Sequence, residues 1–215
     1  MFRLPYFFAL VFLAACSSTA HLPAPYNQLK KVLPYDPSGW FYNHNQIRTM
    51  MREEKVKVVV IEVGSWLGRS TRHIARRVQE GGKVYAVDHW LGSSEHQVGG
   101  ANYHEGLDHL YEQFLSNIIH KKLTDRVVPI RMASAEAAQF LSDVKPDMVY
   151  IDADHSTEGV YRDLTLWFPY VKGHGILCGD DWTWETVQVA IRRFAKEMGL
   201  IIESKHNFWR LKEPI

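Results

Sequence analysis

Cysteine is almost absent: the chain of 215 residues holds two, Cys16 and Cys178. Two cannot build a disulfide framework, and neither stands in a Cys/His spacing of the zinc type. There is no block of five or more Lys/Arg, and the formal net charge is +1, so charge gives no argument for a nucleic-acid partner. No apolar run approaches the ~20 residues that a membrane-spanning helix needs. Internal repeats and low-complexity tracts are missing too, which leaves no sign of a repeat architecture. What is present is an ordinary globular composition, 46% hydrophobic. The length suits one full-sized α/β domain and barely two small ones.

The N-terminus stands apart. Met1-Phe2-Arg3 leads into an apolar stretch from Leu4 to Ala15, too short to cross a bilayer and of the size of a signal-peptide core. It ends in Leu13-Ala14-Ala15-Cys16 with Ser17-Ser18 beyond, which resembles the bacterial lipoprotein cleavage box. Residues 1–16 therefore read as a signal-peptide-like segment, and its use would make the protein a membrane-attached lipoprotein anchored through Cys16. An apolar extension on a cytoplasmic protein is the competing expectation. Residues 17–39, with Pro23, Pro25, Pro34 and Pro37, read as a linker over the domain surface, and residues 40–215 as the domain itself.

Val56 to Val63 is almost unbroken β-branched sequence, interrupted by Lys57 and Glu62, as expected of a parallel strand buried on both faces. Gly64-Ser65-Trp66-Leu67-Gly68 follows, a turn whose glycines permit backbone angles and close approaches that a side chain would block. Ser70 or Thr71 can cap the next helix, predicted over 70–79 and stopped by Gly81-Gly82. Its N-terminal amides would face whatever sits over the turn. A short helix is expected over 41–52, a second strand over 83–87 ending on Asp88, a polar loop over 91–102 and a helix over 103–120. Further strands are expected at 127–131, 147–151 and 175–178, with helices at 135–141 and 157–171 and from Val187 to Met198. Segments 201–203 and 208–211 close the chain as a strand pair. Strands alternating with helices demand a parallel sheet covered on both faces, and ligands of such sheets bind beyond the carboxyl ends of the strands. Those ends carry Glu62-Gly64, Asp88, Ala133-Ser134, Asp152 and Asp180-Asp181.

Asp88 can accept hydrogen bonds from both hydroxyls of a ribose. The two turn glycines are separated by three intervening residues with no third glycine, so the dinucleotide fingerprint G-x-G-x-x-G is not met, which disfavours a nicotinamide oxidoreductase. A single nucleoside with a non-phosphate tail fits better. On these residues the chain resembles the class I S-adenosylmethionine-dependent methyltransferases over roughly 56–212. Glu62-x-Gly64-x-x-x-Gly68 looks like their first motif and Asp88 like their ribose-binding acid. The series Asp152-Ala-Asp154-His155-Ser156, Trp167-x-Pro169, Gly173-x-Gly175 and Asp180-Asp181 is similar to the metal-dependent small-molecule O-methyltransferase group. That group includes the macrolide-sugar O-methyltransferases and the cephalosporin hydroxylase-like family. Lys172-Gly173-His174-Gly175 departs from the proline-glycine-glycine common there, a difference of turn chemistry.

The resemblance implies a Rossmann-like, doubly wound, mostly parallel seven-stranded sheet with helices on both faces and a C-terminal antiparallel strand. It implies that Gly64, Ser65 and Gly68 pass close to the methionine portion of S-adenosylmethionine while Glu62 orders the turn from beneath. Asp88 would bind the ribose, His89 or Trp90 would flank the adenine, and Ser134 would lie near its edge. Asp152, Asp180 and Asp181 would coordinate a divalent cation, with Mg2+ suiting such oxygen ligands. His155 would be the general base toward a small hydroxylated acceptor, a sugar or a catechol-like diol. Plainer roles compete: Asp152 or Asp154 could cap a helix, Asp180-Asp181 could be a solvated loop pair, and His155 could be a surface histidine. Trp182 and Trp184 could wall an acceptor pocket or simply pack, and the acceptor site is expected to be shaped by 91–102 and the helix after it. A second expectation is a catalytically degenerate, membrane-attached binding protein, because an exported enzyme would be cut off from a donor made in the cytosol.

Overall fold

The computed structural model describes residues 19–54, 58–93, 96–100 and 102–214. The signal-peptide-like segment with Cys16, and the first residues of the expected first strand, lie outside that description. Seven strands form one sheet: β1 (Val59–Val63), β2 (Lys83–Asp88), β3 (Val127–Arg131), β4 (Met148–Ile151), β5 (Ile176–Gly179), β6 (Ile201–Lys205) and β7 (Phe208–Lys212). Their spatial order is β3-β2-β1-β4-β5-β7-β6. β1 to β5 pair in parallel, and β7 enters antiparallel between β5 and β6. The chain winds outward through β2 and β3, then returns to the other side of β1 for β4 and β5. The topological switch therefore lies between β1 and β4, where an open α/β sheet leaves a crevice.

The strands are apolar on both faces because both faces are covered. Val60, Val84, Ala86, Met148, Tyr150 and Cys178 point into one core. Their neighbours Ile61, Val63, Val87, Val149, Ile151 and Leu177 point into the other, following the two-residue alternation of a strand. The first core is closed by α1 (His44–Glu53), α2 (Arg69–Ala75) and α3 (Leu110–His120), through Ile47, Met50, Ile74, Phe114 and Ile118. The second is closed by α4 (Ser134–Phe140), α5 (Thr157–Trp167) and α6 (Glu185–Met198), through Ala137, Leu164, Trp167, Ile191 and Phe194. Among the described residues no helix is long and apolar enough to cross a membrane.

Several boundaries differ from expectation for local reasons. α2 starts one residue early on Gly68, whose φ of 78° ends the turn, so neither Ser70 nor Thr71 is the cap. α3 begins only at Leu110, after a 3-10 turn over Leu107–His109, because 102–106 offer no apolar face to the sheet. α5 stops at Trp167 and passes into a 3-10 turn, where Pro169 has no N–H to give a longer helix. The segment expected as a linker is docked along α3. Tyr26 is buried and donates its hydroxyl to Val127 O at 2.9 Å. The amides of Leu33 and Asp36 donate to Ser116 Oγ and Asn117 Oδ1, each at 2.9 Å.

Candidate active site

The glycine turn leaves β1 where β1 and β4 come closest. A Cβ built on Gly64 would lie 1.8 Å from the Asp152 carbonyl oxygen, at a φ of 88°, so only glycine fits. Gly68 has a different role. Its missing side chain makes room for Phe114 of α3, 2.9 Å from where a Cβ would stand, and it does not line the cavity.

Two carboxylates hold the turn from opposite sides. Asp88 Oδ2 accepts the amides of Ser65 (3.0 Å) and Trp66 (2.9 Å), and its Oδ1 accepts the amide of Trp90 (2.6 Å). Glu62 lies beneath, fully buried, accepting the Ser65 hydroxyl at 2.9 Å and the Thr71 hydroxyl through Oε2. Glu62 Oε1 completes no hydrogen bond. Burial pushes this carboxyl up to about 7, against the opposing pull of the Ser70, Thr71 and Ser65 hydroxyls.

Above the strand ends opens a cavity of about 970 Å³. On the β1–β3 side it is lined by Gly64, Ser65, Asp88, His89 and Ser134. Trp90 is not beside them. It is 1% exposed, packed on Tyr111 and Phe114, and its indole donates to Trp66 O at 2.8 Å. The positive φ of Trp90 (52°) turns the chain there and carries the ring into the core, which leaves His89 as the residue of that pair facing the cavity. The Ser134 hydroxyl donates to Asp163 Oδ1 (2.7 Å) and accepts from Trp167 Nε1 (2.9 Å).

On the β4–β5 side stand Asp152, His155, Asp180 and Asp181. His155 Nε2 is 2.8 Å from Asp181 Oδ2, with its ring tilted against Trp184 at 4.7 Å. Ligand atoms of Asp152, His155 and Asp181 all lie within 4.8 Å of one another. Asp180 was expected in that set but its oxygens are engaged elsewhere. Oδ2 accepts the Tyr150 hydroxyl (3.0 Å), while Oδ1 accepts Asn207 Nδ2 (2.6 Å) and the Asp181 amide (2.8 Å). Asn207 also donates to Asp181 Oδ1 at 3.0 Å. The cap of α5 is Ser156, whose Oγ accepts the Gly159 amide at 3.1 Å, so neither Asp152 nor Asp154 is needed for it.

Crowded acids raise one another. Burial holds the Asp152 carboxyl well above the usual range, and the charges of Asp180, Asp181, Glu62 and Asp88 add to it. Asp180 is pushed up to about 6 by burial and by Asp181. Of the arginines on the cavity wall, Arg162 is paired with Asp154, and Arg69 donates to Gly39 O and keeps its charge.

Sequence reasoning missed Tyr150, a polar residue inside the strand expected at 147–151, and Asn207, between the two expected closing strands. It also missed Trp40 and Tyr42, exposed aromatics that line the cavity from the stretch before α1. Of the elements expected to shape the acceptor side, loop 91–102 contributes Gly92, Ser93, His96 and Asn102, and no α3 residue lines the cavity.

Seven strands in this order, with a ligand-sized cavity at the switch point and an acid at the end of β2, β4 and β5, define a class I methyltransferase fold. The chain belongs to the methyltransferase domain family, whose model its residues 61–182 match. Among solved structures it is similar to the O-methyltransferase from Bacillus cereus in complex with S-adenosylhomocysteine. That pair shares 16% identity over 84% of this chain and 83% of the other, at a TM-score of 0.58. It is also similar to the O-methyltransferase TomG from Streptomyces achromogenes, involved in tomaymycin synthesis and bound to S-adenosylmethionine, at 13% identity, 83% and 82% coverage and TM-score 0.59. CalS11, a calicheamicin methyltransferase, matches at 15% identity, 79% and 78% coverage and TM-score 0.59. Identities this low carry the fold. Family and fold are those of enzymes, and they lend no support to a membrane-attached binding protein.

Proposed function

We propose that this methyltransferase moves the methyl group of S-adenosylmethionine to an oxygen of a small hydroxylated acceptor, sugar-like or diol-like, with the help of a divalent cation such as Mg2+. The observation that carries the reading is the crowding of acids at the carboxyl ends of neighbouring strands, where burial and mutual repulsion raise the carboxyls of Asp152 and Asp180. Glu62, Asp88, Asp152, Asp180 and Asp181 surround or underlie one cavity, and of its wall arginines Arg162 is paired with Asp154. Such a site favours cationic ligands, here a sulfonium donor and a metal ion. At about 970 Å³ it lies at the upper end of the ~300–1,000 Å³ of single-ligand pockets, which suits a donor and an acceptor together.

In the reaction a lone pair of the acceptor oxygen forms the C–O bond as the C–S bond breaks. The C–S electrons stay on sulfur, and the hydroxyl proton leaves to a base. S-adenosylmethionine supplies the methyl group and the leaving sulfur. A bound cation supplies the Lewis acidity that eases loss of the hydroxyl proton. The protein supplies position. Gly64 and Ser65 admit the donor's tail to the turn. Asp88, with three of roughly four lone-pair positions filled by backbone amides, offers the ribose about one more bond rather than two. Asp152 and Asp181 would hold the cation, with Asp180 bonded behind them. His155 takes the acceptor proton, and Asp181, 2.8 Å from Nε2, stabilises the charged ring.

Calorimetry with S-adenosylmethionine and a transfer assay over vicinal-diol acceptors, with and without Mg2+, test this. Absence of donor binding at millimolar concentration sinks the reading. Full Mg2+-dependent transfer by Asp152→Asn removes Asp152 from the cation site, and equal wild-type transfer with and without Mg2+ removes the cation. Attachment through Cys16 is a separate proposal resting on Leu13-Ala14-Ala15-Cys16. Incorporation of labelled fatty acid into the wild type but not into Cys16→Ser supports it, and no incorporation ends it.

A further inference from the structure

The face that α5 turns to the sheet is apolar at Val160, Leu164 and Trp167, yet it also carries a carboxylate, Asp163, which is 1% exposed. Asp163 and Trp167 stand four residues apart on that helix, so both reach Ser134 at the start of α4. Asp163 Oδ1 accepts the Ser134 hydroxyl at 2.7 Å, and Trp167 Nε1 donates to the same Ser134 oxygen at 2.9 Å. Among the described residues no hydrogen bond reaches Asp163 Oδ2. A carboxylate has room for about four hydrogen bonds, and burying one that makes a single bond is unfavourable. Burial accordingly holds this carboxyl above the usual range, with the Ser134 hydroxyl pulling the other way. Support of Ser134 does not account for the charge, because an asparagine oxygen would accept the same hydroxyl without it.

What the position offers is access. Asp163 lines the cavity beside Met132, Ala133 and Ser134 at the end of β3, on the side where Asp88 and the Gly64 turn stand. Ser134 gives its proton to Asp163 and one lone pair to Trp167, so of the two it is Asp163 that keeps acceptor capacity to spare. With the donor's tail at the Gly64 turn and its ribose at Asp88 on β2, the base extends toward β3, the next strand of the sheet. The exocyclic amino group of adenine is a hydrogen-bond donor and suits an acceptor-only carboxylate.

We propose that Asp163 is a base-recognition residue for S-adenosylmethionine, its free oxygen accepting the adenine amino group while Ser134, itself held by Trp167, fixes the carboxylate. The inference rests on the donor reading given above. It moves recognition of the base from Ser134 to the carboxylate on α5 behind it. It also gives the buried acid a task in selectivity: a base with a carbonyl in place of the amino group would set oxygen against oxygen there.

Calorimetry on the whole protein compares S-adenosylhomocysteine with its analogue carrying hydrogen in place of the adenine amino group. The wild type is expected to prefer the amino form by about tenfold or more, in line with a hydrogen bond to a charged acceptor. Asp163→Asn keeps the shape and removes a buried charge, so Tm should stay or rise. Its oxygen keeps the Ser134 bond and its Nδ2 turns a donor toward the adenine amino group, so the preference should disappear. Asp163→Leu has no acceptor at all and should lose the preference too, whichever way the asparagine amide turns. Equal wild-type binding of the two ligands, or a preference kept in full by either variant, overturns the inference alone. A wild type that binds no S-adenosylhomocysteine at millimolar concentration overturns the donor reading and the inference together.

Discussion

Glu62, buried on β1, and Asp152, partly buried just past the end of β4, are acids whose titration reaches the stability of the whole fold. For Glu62 the carboxyl moves from 4.5 to about 7 on burial. Between those values the folded chain keeps a proton that the unfolded chain has released. The stabilising contribution is therefore complete below pH 4.5 and is lost as pH rises through about 7. The change amounts to about 3 kcal/mol at most. Urea denaturation at pH 5 and pH 8 should show a smaller pH difference for Glu62→Gln than for the wild type; equal differences refute the assignment. For Asp152 the raised carboxyl reflects burial first and four neighbouring acids second. Asp152→Asn should thus raise the Tm of the metal-free protein at neutral pH, abolish the upward Tm shift on adding Mg2+, and reduce transfer at least ~100-fold. A thermal scan with and without Mg2+ reads the first two directly.

At the scale of single elements, the turn after β1 separates two reasons for glycine. Gly64 and Gly81 both have positive φ, 88° and 79°, but only Gly64 meets another backbone. Gly81→Ala should cost about 1–2 kcal/mol, the price of the left-handed conformation alone. Gly64→Ala should cost about 4 kcal/mol or more, because its Cβ would displace Asp152 and with it the start of the acid cluster. Chemical denaturation compares the two, and equal losses would show that the β1–β4 contact is not tight. This turn was legible in the sequence because glycine spacing after a β-branched run has few other causes. What followed at Asp88 was half legible. A strand-end acid can be read from its position, but Trp90 cannot be placed from adjacency. A single positive φ sends it inward and His89 outward.

For the molecule as a whole, strand order and both cores follow from patterns that recur within a few residues, and those are what a sequence displays. Tyr150 and Asn207 converge on Asp180 from 30 and 27 residues away, and each looks in isolation like a stray polar residue. Nothing local marks such a meeting. The same holds for 19–39, where proline suggested a loose linker but Tyr26 reaches the core and bonds to β3. Tyr26→Ala should destabilise the domain by about 3–5 kcal/mol, as for other large buried aromatics. A loss below ~1 kcal/mol in urea denaturation would mean that this segment is not part of the folding unit.

One contact joins these scales. Asp152 donates its amide to Val63 O at 2.8 Å, and its carbonyl fills the space that a side chain at position 64 would take. On the proposed reading, the place where the donor's tail would enter and the first acid of the acceptor side are neighbours across a single strand pair, spaced by the ~4.8 Å repeat of a sheet. The sheet would then set the spacing between the donor and acceptor sides. On that reading, loops above the sheet would change to admit different acceptors while the Gly64–Asp152 spacing stays the same.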